Sequence, residues 1–269
     1  MTGTTRADRV MNSRRAFFGV STIVFAASAA MTIVWCASMS AMATMEMPGG
    51  WEMSMMWMRM PGQTWLGAAA SFVAMWVVMM VAMMLPSLIP TLLAYRESLG
   101  QISSDRVGRL SVIVGVGYFA VWAALGVVVF ALGSVLAETA MREPGLARGI
   151  PMIVGAIVLA AGFVQRTEWK SRQLAFCRQA AGRHLAPSPN AGAAWRHGWC
   201  LGLHCVQACA SLTVVMLALG VMDLRVMGVM GAAITVERLA PNGVRVAHAI
   251  GVVIVASGLL VIARAAGVQ

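Results

Sequence analysis

Six stretches of this chain, 16–39, 65–95, 110–136, 147–165, 199–220 and 244–263, run for about twenty residues or more almost without a charge. A helix rising 1.5 Å per residue needs roughly 20 apolar residues to cross the hydrocarbon of a bilayer. Inside that hydrocarbon every backbone polar group must find its partner within the protein. The expected architecture is therefore an all-α, polytopic transmembrane helix bundle. A seventh stretch, 222–239, is shorter and carries Asp223 and Arg225 at one end and Glu237 and Arg238 at the other. It reads as a span of minimum length, making seven, or as a re-entrant segment, leaving six. Only 11% of the residues are charged and 59% are hydrophobic, against about 25% charged in a soluble domain. Such a chain lacks the polar surface that a water-soluble fold requires.

Twenty Lys and Arg oppose ten Asp and Glu, a net charge of +10. In a soluble protein that excess would point to nucleic acid. Here the basic residues sit in the connecting segments, where they set orientation, and nucleic acid is excluded as a partner. With the N-terminus inside and seven spans, fifteen of the twenty basic residues fall on the inner side and five on the outer. The expected organisation is a cytoplasmic tail over 1–15, a first transmembrane anchor over 16–39, an outer methionine-rich loop over 40–62, and a bundle over 63–269 with a basic cytoplasmic loop at 166–198. Arg14 and Arg15 precede the first apolar run as they would in a signal peptide, but the run exceeds twenty residues and no clean small-x-small site follows, so it reads as a retained anchor. The first half of the 166–198 loop fits a basic amphipathic helix on the anionic inner leaflet, or it serves only to enforce topology.

Methionine is the compositional outlier, with 23 residues. Eight lie in the outer loop, at Met42, Met45, Met47, Met53, Met55, Met56, Met58 and Met60, with Glu46 and Glu52 among them. Thioether sulfur is a soft donor that selects Cu(I), and it needs no deprotonation to bind. The other reading is a loop lying on the membrane, its Met side chains, Trp51 and Trp57 dipping into the interface. In the second apolar run Met75, Met79 and Met83 recur every four residues, and Met80 and Met84 form a parallel pair, so one helix face is a stripe of sulfur. Pro86 and Pro90 follow and free carbonyls inside the bilayer. Packing alone also accounts for such a stripe, because methionine fills irregular helix contacts well.

A second concentration lies at 197–209. At 100° per residue His197, Cys200 and His204 share one arc, while Cys205 and Cys209 stand one turn apart on another. Two thiols so placed suit two-coordinate or bridging ligation of a soft metal. Zinc would need four closed ligands and help from another span, and a single haem would need His248 or another span beside one of these histidines. Against this stands the behaviour of cysteine as a small buried hydrophobe. Cys36 is placed to join the methionine loop, Cys177 reads as incidental, and Glu237 beside Arg238 reads as an interfacial pair. Gly198 and Gly202, four apart, permit close helix approach.

Together these segments resemble a bacterial family of predicted metal-binding integral membrane proteins. The resemblance covers about 65–263 and rests on four pieces. They are the run from Trp76 through Met79, Met80, Met83, Met84, Pro86 and Pro90; Gln165, Lys170 and Cys177-Arg178; Gly198, Gly202, Cys205 and Cys209; and Gly220-Val221-Met222 with Met227 and Glu237-Arg238 before Pro241. The family tends to carry two adjacent cysteines followed by tryptophan where this chain has Ala208, Cys209 and Ala210. Arg225 replaces an aromatic residue, and Arg238 replaces lysine in the acidic–basic pair. The resemblance implies metal binding at a bacterial inner membrane.

No phosphate loop, dinucleotide fingerprint or nucleophile elbow is present, so ATP-driven pumping by this chain is not expected and a carrier is favoured over an enzyme. The favoured reading is Cu(I) binding, with transport or delivery to a metallochaperone or client membrane protein. Set against it are a membrane redox protein, with a Cys205/Cys209 dithiol or a haem, and a non-catalytic scaffold or assembly factor.

Overall fold

The structure, a computed structural model, describes residues 6–40, 45–48, 50–59, 62–99, 102–182 and 189–267. Met42 and Met60 of the methionine-rich loop lie outside these residues. Among the described residues eight helices dominate: α1 (Arg6–Ser40), α2 (Trp65–Ser98), α3 (Ser104–Arg142), α4 (Pro144–Val164), α5 (Glu168–Gly182), α6 (Ala191–Leu219), α7 (Leu224–Leu239) and α8 (Gly243–Ala265). Between α1 and α2 the short strands β1 (Met45–Met47) and β2 (Trp51–Met53) pair antiparallel, and one 3-10 turn covers Met55–Trp57. The all-α bundle expected from the apolar runs is the architecture found.

Among the described residues six helices, α1, α2, α3, α4, α6 and α8, are long and apolar enough to cross a membrane. The remaining apolar segment, α7, has 16 residues. At 1.5 Å per residue it reaches about 24 Å, short of the roughly 30 Å hydrocarbon core. Its ends are set by chemistry the sequence carries. The Asp223 carboxylate accepts from the backbone N–H groups of Arg225 (2.7 Å) and Val226 (3.3 Å) as an N-cap, and Gly220, at φ +129°, ends α6 just before it. Asn190 caps α6 in the same way, accepting from Ala193 N–H at 2.7 Å.

α2 and α6 form the centre of the bundle, each half buried, whereas α1 is a peripheral helix with most of its surface open. Arg96 near the end of α2 ties α1 down. It donates to Ser13 Oγ at 2.8 Å and lies 4.8 Å over the Phe17 ring. Trp76, Trp122, Tyr118, Met80, Met84, Leu212 and Met216 fill the fully buried centre, where Trp76 Nε1 donates to Trp122 O at 2.9 Å.

α3 and α6 approach closely because glycine leaves room. A Cβ on Gly198 would stand 2.2 Å from Val114 O, and one on Gly202 would stand 2.8 Å from Tyr118 O. The small residues expected to allow close approach do so.

α5 is helical as expected but does not expose a uniform basic face. Lys170, Leu174 and Cys177, spaced four and three apart, are buried against the bundle, while Trp169 and Phe176 are exposed. An ion pair described below draws it inward.

Gly198→Ala forces backbone apart at the α3–α6 crossing and lowers stability by about 1–3 kcal/mol, read as a fall in the thermal midpoint of the detergent-solubilised protein. Gly108→Ala, with nothing within 4 Å of the new Cβ, leaves that midpoint unchanged; equal effects of the two contradict the packing argument.

Candidate metal centre

α6 carries Cys205 and Cys209 on the face turned to α2, α3 and α7, and both are buried. The i, i+4 spacing brings their Sγ atoms to 3.8 Å. From α2, Met84 places its Sδ 4.0 Å from Cys205 Sγ. With metal–sulfur bonds of about 2.3 Å, ligands in a trigonal plane stand about 4 Å from one another. The separations of 3.8 and 4.0 Å match that spacing.

Polar groups from two further helices surround Cys205. The Tyr118 hydroxyl of α3 donates to its Sγ at 2.7 Å, and Arg238 of α7 donates from Nη1 to the same sulfur at 3.0 Å. The same guanidinium nitrogen donates to Ser87 Oγ at 3.0 Å. Ser87 in turn donates to Met84 O at 2.9 Å, so the helical turn carrying the thioether is fixed by the group that faces the thiol. A buried thiolate, the form of cysteine that ligates metals, needs a positive neighbour, and Arg238 supplies one.

The expected interfacial pair of Glu237 and Arg238 does not form. Adjacent helical residues point about 100° apart, and the two serve different neighbours. Arg238 turns to the sulfurs, and Glu237 turns to Lys170 of α5 at 2.8 Å, with the two side chains 2% and 1% exposed. Lys170 Nζ also donates to Ala208 O at 2.6 Å, and Gln165 donates to Glu237 Oε1 while accepting from Ser211 Oγ. This network joins the end of α4, α5, α6 and α7 beside the sulfurs, anchoring the helix that carries Arg238.

The other candidates divide. Met79, Met80 and Met83 are buried in the core beside Met84, and Met75 is half-buried against it. Met83 lies against α7 at Gly231. On the arc of His197, Cys200 and His204 the residues meet different surroundings. His197 stacks on Tyr95 with ring centroids 5.3 Å apart, Cys200 is exposed, and His204 packs on Phe176 of α5 at 3.9 Å. Among the described residues no group of three or more His, Cys, Asp and Glu gathers as a metal site; the cluster that does gather depends on methionine. His248 is exposed, and Cys36 is buried. Cys177, read as incidental, is also buried and donates to His204 O at 3.6 Å. Burial pushes its thiol up to about 11, against the opposing charges of Arg238 and Lys170.

In the methionine-rich segment between α1 and α2, Met47 and Met53 pack with Ala137, Ala140 and Ala147, Met45 is exposed, and Met55 lies in the 3-10 turn. The Trp51 indole donates to Ala147 O at 2.9 Å, which anchors the β1–β2 hairpin on the end of α4. A cavity of about 610 Å³ opens beneath it, and Met53, Met56, Met222, Glu52 and Asp223 are among its walls. Sequence reasoning passed over Tyr118 and Arg238 as partners of Cys205, and Ser87 as a partner of Arg238. The available signal was an arginine and a lysine close to apolar runs, since ionisable groups at such positions mark functional sites.

A family model described as PpoB2, copper chaperone, matches residues 73–261, well over half of the chain. No curated protein and no solved structure matches it.

Glu237→Gln strands the Lys170 charge and destabilises the protein by about 3–5 kcal/mol, whereas Lys170→Met combined with Glu237→Met recovers most of that loss. Thermal unfolding of the three proteins in one detergent decides the matter; a double variant no better than the single one contradicts the role given to the pair.

Proposed function

The chain belongs to the PpoB2 copper-chaperone family, and from that premise we propose that it holds Cu(I) inside a membrane-spanning bundle for handover to a client protein. The ligands in this reading are Cys205, Cys209 and Met84. One observation carries it: three sulfurs from two helices, the Cys205 Sγ standing 3.8 Å from Cys209 Sγ and 4.0 Å from Met84 Sδ, with a guanidinium 3.0 Å away. Two thiolates and one Cu(I) carry a net −1, which Arg238 neutralises, so the occupied site is uncharged. An uncompensated charge buried among apolar helices is costly. A divalent ion would leave a net positive charge, and soft sulfur favours Cu(I) over harder cations.

The rest of the methionine pattern fits a route to this point. Met53, Met56 and Met222 line the cavity under the outer hairpin, with Glu52 and Asp223 attracting cations to its mouth. The buried face of Met79, Met80 and Met83 leads along α2 to Met84. Thioethers bind Cu(I) without losing a proton, so an ion exchanges among them with no change in protonation, and the thiolates form the tighter station. In this reading the hairpin lies on the outer side, as the positive-inside bias of the basic residues supports, and the membrane is a bacterial inner membrane. The client is a metallochaperone or membrane protein that takes Cu(I) by sulfur exchange.

Metal analysis of purified full-length protein after loading with Cu(I) tests this reading. Wild type retains copper through washing, and Cys205→Ser or Cys209→Ser each removes one ion per chain. Arg238→Gln weakens that ion by roughly ten- to a hundredfold, the usual effect of removing a group that supports a metal ligand. Copper-free wild-type protein with Cys205 and Cys209 oxidised to each other by mass spectrometry overturns the reading in favour of a dithiol redox role.

A further inference from the structure

α5 touches the bundle beside the sulfur centre, and it brings its own cysteine. Cys177 is 7% exposed, and its Sγ lies 3.6 Å from the carbonyl oxygen of His204, the residue preceding Cys205 on α6. The imidazole of His204 is held by Phe176, the neighbour of Cys177, at a centroid separation of 3.9 Å. Its Nδ1 is buried and has no hydrogen-bond partner. Buried polar nitrogens are nearly always satisfied, and one left open on the residue whose carbonyl the Cys177 thiol meets suits a metal, because a neutral imidazole nitrogen is a ligand. The two groups come from different helices, so the contact exists only while α5 is docked.

Resting on the Cu(I) reading above, we propose that Cys177 and His204 form a second Cu(I) station, adjoining the one on Cys205 and Cys209, through which the ion leaves on the α5 side. One thiolate and one imidazole give a two-coordinate set that balances the single charge of Cu(I), and both donor types suit copper. Cys177 gives up its thiol proton to water as its sulfur bonds the ion, and copper remains Cu(I) throughout. Departure is favoured on this side because α5, with 15 residues, docks on the bundle through Lys170, Leu174 and Cys177 on one face and is too short to be held by crossing a bilayer. Its exposed Trp169 and Phe176 lie on the helix that a client would meet.

Stoichiometric titration of the full-length protein with Cu(I), against a chromogenic Cu(I) chelator, tests the station. Wild type binds two ions. Cys177→Ser, nearly isosteric, and His204→Gln each bind one and keep the wild-type affinity for it, with unchanged thermal midpoints. Cys209→Ser loses the other ion and retains the Cys177–His204 one. Cys177→Ser and His204→Gln proteins that still bind two ions overturn the second station and leave the sulfur centre standing. So does wild type that binds one ion, lost in Cys209→Ser. If no variant alters binding, both fall together.

Discussion

A guanidinium held against a buried thiol is the contact on which the interior of this bundle turns. Arg238 sits 3.0 Å from Cys205 Sγ, and neither group is at ease alone among apolar helices. A buried arginine without a counter-charge is expensive, and a buried thiolate without a cation equally so. The rest of the arrangement brings the two together. α7 is short, so the arginine near its C-terminal end meets α6 far from where that helix begins. The Lys170–Glu237 pair joins α5 to the same turn of α7. Gly198 and Gly202 let α3 come close enough to α6 for the Tyr118 hydroxyl to reach the same sulfur.

The methionines divide their work by position. On α2 they are core residues first, with Met80 and Met84 fully buried, and their unbranched, polarisable side chains fill the irregular space between helices. The same softness suits them to a soft cation, so packing and ligation do not compete for the residue. In the hairpin the balance shifts towards packing, with Met47 and Met53 closing over alanines of α3 and α4. Met53 and Met56 also face the cavity below.

Much of this was legible in the sequence, for a simple reason: apolar length and helical period are local properties. Every long apolar run became a helix, the 222–239 run, read as a minimum-length span or a re-entrant segment, became the 16-residue α7, and Cys205 and Cys209 fell on one face because i, i+4 residues must. The partners were not legible. A helical wheel places His197, Cys200 and His204 on one arc, yet Tyr95 faces the first, Phe176 the third, and Cys200 is exposed. Which neighbour meets an arc depends on the tertiary packing of other helices. The charges near the ends of apolar runs misled in the same way. Glu237 and Arg238 look like one surface pair in sequence, and in space they belong to two buried networks on different sides of α7. The family resemblance, read over 65–263, agrees closely with the matched 73–261.

X-ray absorption at the copper K-edge reads directly which atoms grip the ion. Full-length protein carrying one equivalent of Cu(I) should give a three-coordinate edge with sulfur at about 2.3 Å as the dominant neighbour, and Met84→Leu should reduce the coordination to two. A first shell of nitrogen and oxygen, or one unchanged when Cys205 and Cys209 are both replaced by serine, would contradict the account.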